Sequence, residues 1–326
     1  MTSRRTVFAL GFAACLPALE TGAQSTNYPD RPIKVLVGFS AGGGTDVVAR
    51  IVAQKLSERF GQTVVVENRT GASGLIAAEA TARSAPDGYT LMMGSQTTLA
   101  VAPTLYRKTV LDPSRDFAGV AMGAISPLVL VVHPSVPAQS ANDVIALAKT
   151  KPGGINFGSG GLGTTPHMTG ELFASLAGIK LTHVAYRGEA PAINDLIGGQ
   201  IPLMFANLSA VIGNIRAGQL RALAVTSAQR AAAAPEIPTV AEAALPGFET
   251  ATWFALVAPA GSPGEILTLL NAQVKRALAE PDVKRRFADL GMTAEDSTPE
   301  GLDAYIRSEI AKWTKVIRDA DIRAPD

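Results

Sequence analysis

The chain has 326 residues, of which 47% are hydrophobic and 17% charged, enough apolar sequence to build two hydrophobic cores. Its 29 lysines and arginines nearly balance 28 aspartates and glutamates, so it carries no basic field that would hold nucleic acid or an anionic membrane surface. The single cysteine, Cys15, excludes a disulfide framework and a thiolate metal site.

The N-terminus has the pattern of a secretory signal peptide. Two arginines precede an apolar run from Val7 to Leu19, and small residues follow it. The run is too short for a good transmembrane span, so we predict that residues 1–24 are a signal cleaved after Ala23 or Gln24 and that the protein is periplasmic. A buried N-terminal helix or a lipid anchor on Cys15 is the less favoured alternative. The pattern leaves open the general and the twin-arginine export routes.

A glycine run at 42–44 joins the first predicted strand, at 33–39, to a helix predicted over Thr45–Phe60. Glycines have no Cβ, so they can adopt positive φ, which we expect at Gly43, and let backbone N–H groups converge on an anion. Thr45 is predicted to cap the helix, whose N-terminus adds to the same positive field. The run fits neither G-x-G-x-x-G nor a P-loop, so a compact carboxylate is favoured over a nucleotide. A tight turn without a ligand is the alternative.

Two further strand–loop–helix units follow the first. Strands are predicted at 63–68 and 89–93, and the small residues after them predict a turn at 69–74 and a loop at 94–98. Ser73 is the predicted N-cap of an alanine-rich helix. Repeated units of this kind indicate an open, mostly parallel sheet, in which ligands bind beyond the carboxyl ends of the strands.

The pattern changes at 112–126, which we interpret as a crossing between domains. The second half then repeats the architecture of the first. A helix capped by Ser140 follows a strand at 128–133, and a glycine-rich loop at 159–164 precedes a helix with Thr165 as its predicted N-cap. Further elements are predicted as strands at 155–158, 181–185 and 202–205, a helix at 191–197 and a loop at 206–209.

A return crossing is predicted near residue 249. The remaining predicted elements are a strand at 252–257 and helices at 264–279, 282–290 and 299–319. No further strands are predicted for a third sheet, so this tail is assigned to the first domain. The predicted fold is therefore α/β, with two open, mostly parallel sheets joined by two hinge crossings. Domain I comprises residues 25–124 and 250–326, and domain II comprises residues 125–249.

Several stretches spread over the mature chain form a specific combination of motifs. They are PIKVLV at 32–37 with the loop Phe39–Asp46, GASG at 71–74, DGYTL at 87–91, the loop Ser159–His167, HVAYRG at 183–188 and VAPAG at 257–261. This combination resembles the Bug receptors, the periplasmic solute-binding proteins of tripartite tricarboxylate transporters. The resemblance covers essentially the whole mature chain.

The resemblance implies a Venus-flytrap receptor with a type II-like periplasmic-binding-protein fold. Such a receptor holds a small carboxylate between its lobes and delivers it to membrane permease subunits, and we expect a monomer without cofactor, metal or membrane insertion. Two departures from the family are Ser40-Ala41, where proline is frequent, and Arg187, where lysine is frequent. Carried over by position, the ligand contacts would be Phe39, Ala41, Gly43, Thr45, Asp46, Ser73, Ser95, Thr97, Ser159, Gly163, Thr164, His167, Tyr186 and Asn207.

A secreted hydrolase that uses the same cleft is the rival interpretation, and a sensor-only binding protein is a second one. His167 and Glu171 have the spacing of a helical metal pair, but the sequence suggests no third ligand. No G-x-S-x-G nucleophile elbow occurs, so we predict no catalytic residue. Asp46 and Tyr186 also have structural interpretations, as a helix-dipole partner and a core ring, and both tryptophans are predicted to be core residues.

Overall fold

A computed structural model describes residues 28–106, 109–186 and 188–322, so the predicted signal peptide and Arg187 lie outside the described residues. The strands are β1 (Ile33–Val37), β2 (Val64–Asn68), β3 (Thr90–Ser95), β4 (Phe117–Val132), β5 (Asn156–Ser159), β6 (Thr182–Ala185), β7 (Leu203–Asn207), β8 (Arg221–Val225), β9 (Ala251–Pro259) and β10 (Thr293–Ala294).

Helices cover both faces of these strands. The α-helices are α1 (Gly44–Phe60), α2 (Leu75–Ala82), α3 (Ala102–Leu105), α4 (Pro113–Asp116), α5 (Ala141–Thr150), α6 (Thr165–Ala177), α7 (Glu189–Ile197), α8 (Leu208–Arg216), α9 (Val240–Ala243), α10 (Gly264–Ala279), α11 (Pro281–Asp289) and α12 (Pro299–Asp319). A 3-10 turn at Ala72–Gly74 precedes α2, and a π-helical turn at Thr97–Val101 precedes α3.

The strands form one hydrogen-bonded series in the order β2-β1-β3-β9-β4-β7-β5-β6, and β8 and β10 also pair with β4. β1 pairs in parallel with β2 and β3, and β5 pairs in parallel with β6 and β7, as the strand–loop–helix units predict. The central strands β4 and β9 are antiparallel to each other and to their other partners. The predicted α/β fold is therefore confirmed, but the strands of the two predicted sheets form one hydrogen-bonded series, which is mixed, with the parallel pairs confined to its outer parts.

β4 joins the two halves of the sheet. Its residues Phe117–Pro127 pair with β9, whereas Leu128–Val132 pair with β7 and β8. The prediction of an irregular crossing at 112–126 is wrong for most of that range, because β4 runs on through Pro127. Proline has no N–H to donate, and Pro127 lies where β4 changes partners. The first crossing is thus a continuous strand.

Four buried clusters form the core, two on each half of the sheet. In the first half, one cluster packs α1, α10 and α11 on one face and another packs α2, α3 and α12 on the other. In the second half, α5 and α6 cover one face and α7 and α8 cover the other. Trp253 and Trp313 have no exposed surface, which confirms that both tryptophans are core residues.

Some elements were absent from the sequence prediction. The loop expected at 206–209 does not form, because β7 extends to Asn207 and α8 begins at the next residue. β8, α8 and the short β10 were not predicted. Strand-to-helix junctions without a loop carry no glycine or proline signal, so the sequence pattern gives no sign of where one element ends.

Candidate functional site

The loops after β1, β2 and β3 meet at one edge of the sheet. A Cβ on Gly38, just past β1, would lie 2.5 Å from the Cα of Gly74, so the backbones of the first two loops are in direct contact. The Thr98 hydroxyl donates to the backbone oxygen of Ser73 at 3.0 Å and ties the third segment to the second. The carboxyl ends of these strands therefore form one surface, as predicted for ligand-binding α/β sheets.

The first glycine loop has a different geometry from the one predicted. α1 begins at Gly44 with Gly43 as its N-cap, and Thr45 is buried inside the first turn instead of capping it. The left-handed φ of 82° belongs to Gly42, whereas Gly43 has φ −74°, which other residue types also adopt. The expectation of a left-handed Gly43 is therefore wrong.

Asp46 holds this loop in place through hydrogen bonds. Its carboxylate, 1% exposed, accepts hydrogen bonds from the Gly42 N–H at 2.9 Å, Arg50 Nε at 2.8 Å and Asn68 Nδ2 at 2.9 Å. Burial by itself would raise the pKa of Asp46, but these bonds, chiefly the one from Arg50, lower it. Asn68 also donates to the Phe39 carbonyl at 2.9 Å. The side-chain acceptors of Asp46 are thus engaged within the loop.

The amino end of α1 leaves backbone donors free. No side chain caps this helix, and among the described residues the N–H groups of Gly44, Thr45 and Asp46 have no hydrogen-bond partner. Phe254 links Ser95 to this helix end: Ser95 is opposite Phe254 in the β3–β9 register, and a Cβ on Gly44 would lie 3.0 Å from Cζ of Phe254. Ser95 is 2% exposed, and its hydroxyl has no partner within the described chain.

Ser73 and Thr97 complete the first half of the candidate site. Ser73 adopts φ 55°, a left-handed conformation that is strained for a residue with a Cβ, and its hydroxyl lies 3.1 Å from that of Tyr106. Gly74, not Ser73, is the N-cap of α2. Thr97 is buried at the start of the π-helical turn, so the loop predicted at 94–98 does not exist. Ala41 and Gly43 remain exposed at the rim.

The second glycine loop is held by its own side chains. The buried Ser159 hydroxyl donates to the Gly161 carbonyl at 3.0 Å, and the Thr164 hydroxyl donates to the same carbonyl at 2.7 Å. The Gly163 N–H, in a left-handed residue with φ 74°, donates to His167 Nδ1 at 3.1 Å. Thr164 is the N-cap of α6, so the prediction of Thr165 is wrong by one residue. Ser159 Oγ and His167 Nδ1 are therefore engaged in hydrogen bonds within the loop.

His167 and His183 form a stacked pair beneath this loop, with ring centroids 3.8 Å apart. His183 Nε2 lies 2.6 Å from the Ser159 hydroxyl. Burial, with a smaller contribution from His167, lowers the pKa of His183 from 6.5 to about 3. Ser159 Oγ also contacts the Gly161 carbonyl at 3.0 Å, so this hydroxyl is held within the loop by two partners.

Acid should destabilise the folded protein through His183. Its pKa is about 3 in the folded chain and 6.5 as the reference value, so the unfolded chain takes up the proton first and stability falls as pH falls through this window. Between pH 7 and pH 5 the loss is at most about 2 kcal/mol, and less after solvent screening of a half-buried ring. Urea unfolding of His183→Gln should show a flatter pH profile, and His133→Gln is the matched control. An unchanged profile for His183→Gln would refute this.

At the carboxyl ends of β6 and β7, Tyr186 and Asn207 are held by acidic side chains. The Tyr186 hydroxyl donates to Asp195 at 2.7 Å, and burial raises its pKa to about 12. Asn207 is the N-cap of α8; its backbone N–H and its Nδ2 donate to the two carboxylate oxygens of Glu189, at 2.7 and 2.8 Å. The Thr252 hydroxyl donates to Asn207 Oδ1 at 2.9 Å. The sequence did not indicate Glu189 as a residue of the site, because an acidic residue at the start of a helix normally has a solvated side chain that interacts with the helix dipole.

The helices that follow the parallel strands lack side-chain caps. None of α1, α2, α6, α7 and α8 has a capping hydrogen bond from its own N-cap side chain. Side-chain caps occur at α4, α5, α9 and α12, whereas α3, α10 and α11 also lack them. Uncapped helix N-termini at the carboxyl ends of the parallel strands leave several N–H donors available to an anion.

The described residues contain no group of three His, Cys, Asp or Glu side chains placed to hold a metal ion. No helix in the same residues has both the length and the apolar character needed to cross a membrane.

The chain is similar to known proteins of one family. Residues 48–322 match the model of the tripartite tricarboxylate transporter family receptor. Protein BugT from Bordetella pertussis is 38% identical over 320 residues, which cover 98% of each chain. The structure of R. palustris Rpa4515 with adipate has a TM-score of 0.82 and 38% identity, covering 91% of this chain and 99% of that one. MatC from Rhodopseudomonas palustris with bound malate has a TM-score of 0.79 and 32% identity, covering 89% of this chain and 100% of that one.

The family match spans most of the chain, and the relatives align over nearly their whole lengths. The resemblance carried by the glycine-rich loops is thereby confirmed. The chain belongs to the receptor family of the tripartite tricarboxylate transporters.

Proposed function

We propose that the protein is an extracytoplasmic receptor that binds a small carboxylate in the cleft between its lobes and delivers it to the permease subunits of a tripartite transporter. One observation carries this proposal: the N–H groups of Gly44, Thr45 and Asp46 are free, and the buried hydroxyl of Ser95, which Phe254 links to this helix end, has no partner within the described chain. A buried hydroxyl without a partner costs free energy, and a carboxylate would supply the acceptor for it and for the amides.

Neutral donors are sufficient for such a ligand. A hydrogen bond to a charged group contributes about 1.5–3 kcal/mol, and bonds inside a closed, dry cleft are stronger than in water. The charge of Asp46, which would oppose an anion, is offset by Arg50 at 2.8 Å. Binding of adipate and malate by the two R. palustris proteins supports a small organic acid as the ligand.

The remaining predicted contacts enter the proposal in two groups. Around α1, the contacts are Phe39, Ala41, Gly43, Ser73 and Thr97. On the second half, they are Ser159, Gly163, Thr164, His167, Tyr186 and Asn207. Because Asp46, Ser159 and His167 already use their side chains inside the loops, we assign them to positioning the backbone that faces the ligand.

We further propose that the lobes, residues 25–124 with 250–326 and residues 125–249, close on the ligand about β4 and β9. The contact that supports this is at the second loop, where a Cβ on Gly163 would lie 2.5 Å from Cδ2 of Leu105 in the first lobe. Small-angle scattering should show a smaller radius of gyration with saturating ligand, and an unchanged radius would contradict closure.

Export follows from the signal pattern of residues 1–24 and from the family of periplasmic receptors that the chain resembles. The expected product is a periplasmic, monomeric protein that starts near Ala23. Mass spectrometry of the periplasmic fraction tests this, and recovery of the intact chain from the cytoplasm would overturn it.

A thermal-shift screen of small carboxylates tests the receptor function. A ligand at about 100 times its Kd stabilises the folded state by roughly 2.7 kcal/mol, which raises the melting temperature measurably. A receptor should also return the acid unchanged after incubation, whereas a hydrolase would alter it. The absence of any shift across mono-, di- and tricarboxylates would argue against the proposal, and chemical conversion of the acid would argue for the enzyme.

A further inference from the structure

An acidic side chain lies near the point where β4 passes from one half of the sheet to the other. Glu189 begins α7 and reaches the end of β7, where Asn207 donates to both of its carboxylate oxygens. Asn207 in turn accepts from the Thr252 hydroxyl on β9. Thr252 lies opposite Ser126 in the β4–β9 register. These four residues are therefore neighbours where the two lobes join.

Ser126 resembles Ser95 in one respect. It is 1% exposed, and its hydroxyl has no hydrogen-bond partner within the described chain. Ser95 is opposite Phe254 and Ser126 is opposite Thr252, two residues apart on β9, so alternation places both serines on the same face of the sheet. Their strands flank β9 and are about 10 Å apart. Two unsatisfied hydroxyls thus lie on one face of the sheet, and a four- to six-carbon acid is long enough to span the distance between them.

The two ends differ in charge. At the α1 end the available groups are backbone N–H donors, which suit a carboxylate. At the other end, among the described residues, which leave out Arg187, the Glu189 carboxylate has hydrogen bonds from Asn207 and no ion pair. A carboxylate has about four acceptor positions, and Asn207 uses two of those on Glu189. Glu189 can therefore accept further hydrogen bonds, and it disfavours a second negative charge beside it.

We infer that the cleft selects acids that carry a hydrogen-bond donor, preferably an ammonium group, opposite their carboxylate, and that Glu189 makes this selection. The inference rests on the proposed receptor function and narrows its ligand class. An ammonium group on the ligand is favoured, because it pairs with the Glu189 carboxylate. A dicarboxylate is disfavoured, because it places like charges together in a site of low dielectric.

A cationic ligand group would change the ionisation of Glu189. Burial raises the pKa of the Glu189 carboxyl, and the hydrogen bonds from Asn207 counteract only part of the rise. An ammonium group placed next to it would favour the ionised form and offset the cost of burial. The alternative is that Glu189 only fastens α7 to the start of α8, in which case it would influence stability without discriminating between ligands.

Calorimetric titration with matched acids separates the two roles. The probes are 6-aminohexanoate against adipate and 4-aminobutanoate against succinate, pairs of equal length that differ in charge at the far end. For the mature wild-type protein we expect the amino acid of at least one pair to bind about tenfold more tightly than the diacid. Glu189→Gln should reduce that ratio about tenfold, chiefly by improving binding of the diacid.

Glu265→Gln is the control, because it makes the same change of charge at an exposed position in the first turn of α10 and should leave the ratio unchanged. Tighter binding of the diacids by the wild-type protein, or an unchanged ratio in Glu189→Gln, would overturn the inference while leaving the receptor function intact. Failure of all four acids and of the wider carboxylate screen would remove both. If Glu189→Gln does not fold, the wild-type preference within each pair decides.

Discussion

Replacing Ser95 by alanine is expected to weaken carboxylate binding about 10- to 100-fold while leaving the folded protein as stable as the wild type, or more stable by about 1 kcal/mol. The two effects have opposite signs for one reason. The Ser95 hydroxyl is 2% exposed and has no partner within the described chain, so its removal relieves an unpaired buried group. The same removal takes a donor from the ligand. Calorimetric affinity and urea unfolding of one variant measure both quantities.

Ser262→Ala provides the matched control. Ser262 is also buried, at 8% exposure, but its hydroxyl donates to the Pro259 carbonyl at 2.8 Å in a turn away from the cleft. Its loss should lower stability by about 1 kcal/mol and leave affinity unchanged. A Ser95→Ala protein that loses stability and keeps its affinity would behave like this control, and would remove Ser95 from the site.

The helices whose ends carry strong local signals could be predicted from the sequence. α10 and α12 begin and end at the predicted residues, because a proline lies at each start and polar residues flank a long amphipathic segment. α5 was predicted with its cap, since Ser140 accepts from the Asp143 N–H as the capping pattern requires. These helix ends are determined by residues close to them in the sequence, so they can be predicted without knowledge of the fold.

Features that depend on distant partners could not be predicted. Pro127 suggested a break, but it lies inside a strand because β9 on one side and β7 with β8 on the other hold β4 in place. The burial of Ser95 and Ser126 depends on strand order, which periodicity does not specify.

Glu189 is the clearest case within the candidate site. In the sequence it is an ordinary acidic residue in the first turn of a helix, and its role depends on Asn207, eighteen residues farther along the chain. The glycine loops were recognisable because small residues between a strand and a helix are a local signal, whereas the polar groups that distinguish ligands come together only in the fold.

A buried carboxylate lies at the junction of β9 with α12. Among the substitutions proposed for this protein, its removal should lower the free energy of unfolding most. Glu309 is 7% exposed, and its Oε2 accepts from the indole N–H groups of both Trp253 and Trp313 at 2.9 Å. Trp253 lies on β9, the strand that returns the chain to the first lobe, so this one oxygen joins that strand to the C-terminal helix.

Glu309→Ala should destabilise the protein by about 3 kcal/mol, because the Trp253 N–H loses its acceptor inside the core and a cavity replaces the side chain. The Gln96 amide oxygen, in the orientation that places it 3.0 Å from Trp313 Nε1, still serves the second indole and limits the loss. Glu309→Gln keeps one acceptor oxygen and should lose less. Differential scanning calorimetry should record a fall in melting temperature of about 6 to 12 °C for the alanine variant.

Lys315→Ala is the control on the same helix, since it removes only an exposed ion pair with Asp319, a kind of contact worth about 0–1 kcal/mol. Because Glu309 lies on the face of α12 that packs under β9, its loss loosens the strand about which we propose the lobes close. The surviving folded Glu309→Ala protein should therefore bind its acid with little change in contacts but with a larger unfavourable entropy, as binding must order the loosened strand. Equal melting temperatures for Glu309→Ala and Lys315→Ala would show that the shared carboxylate oxygen does not hold this junction together.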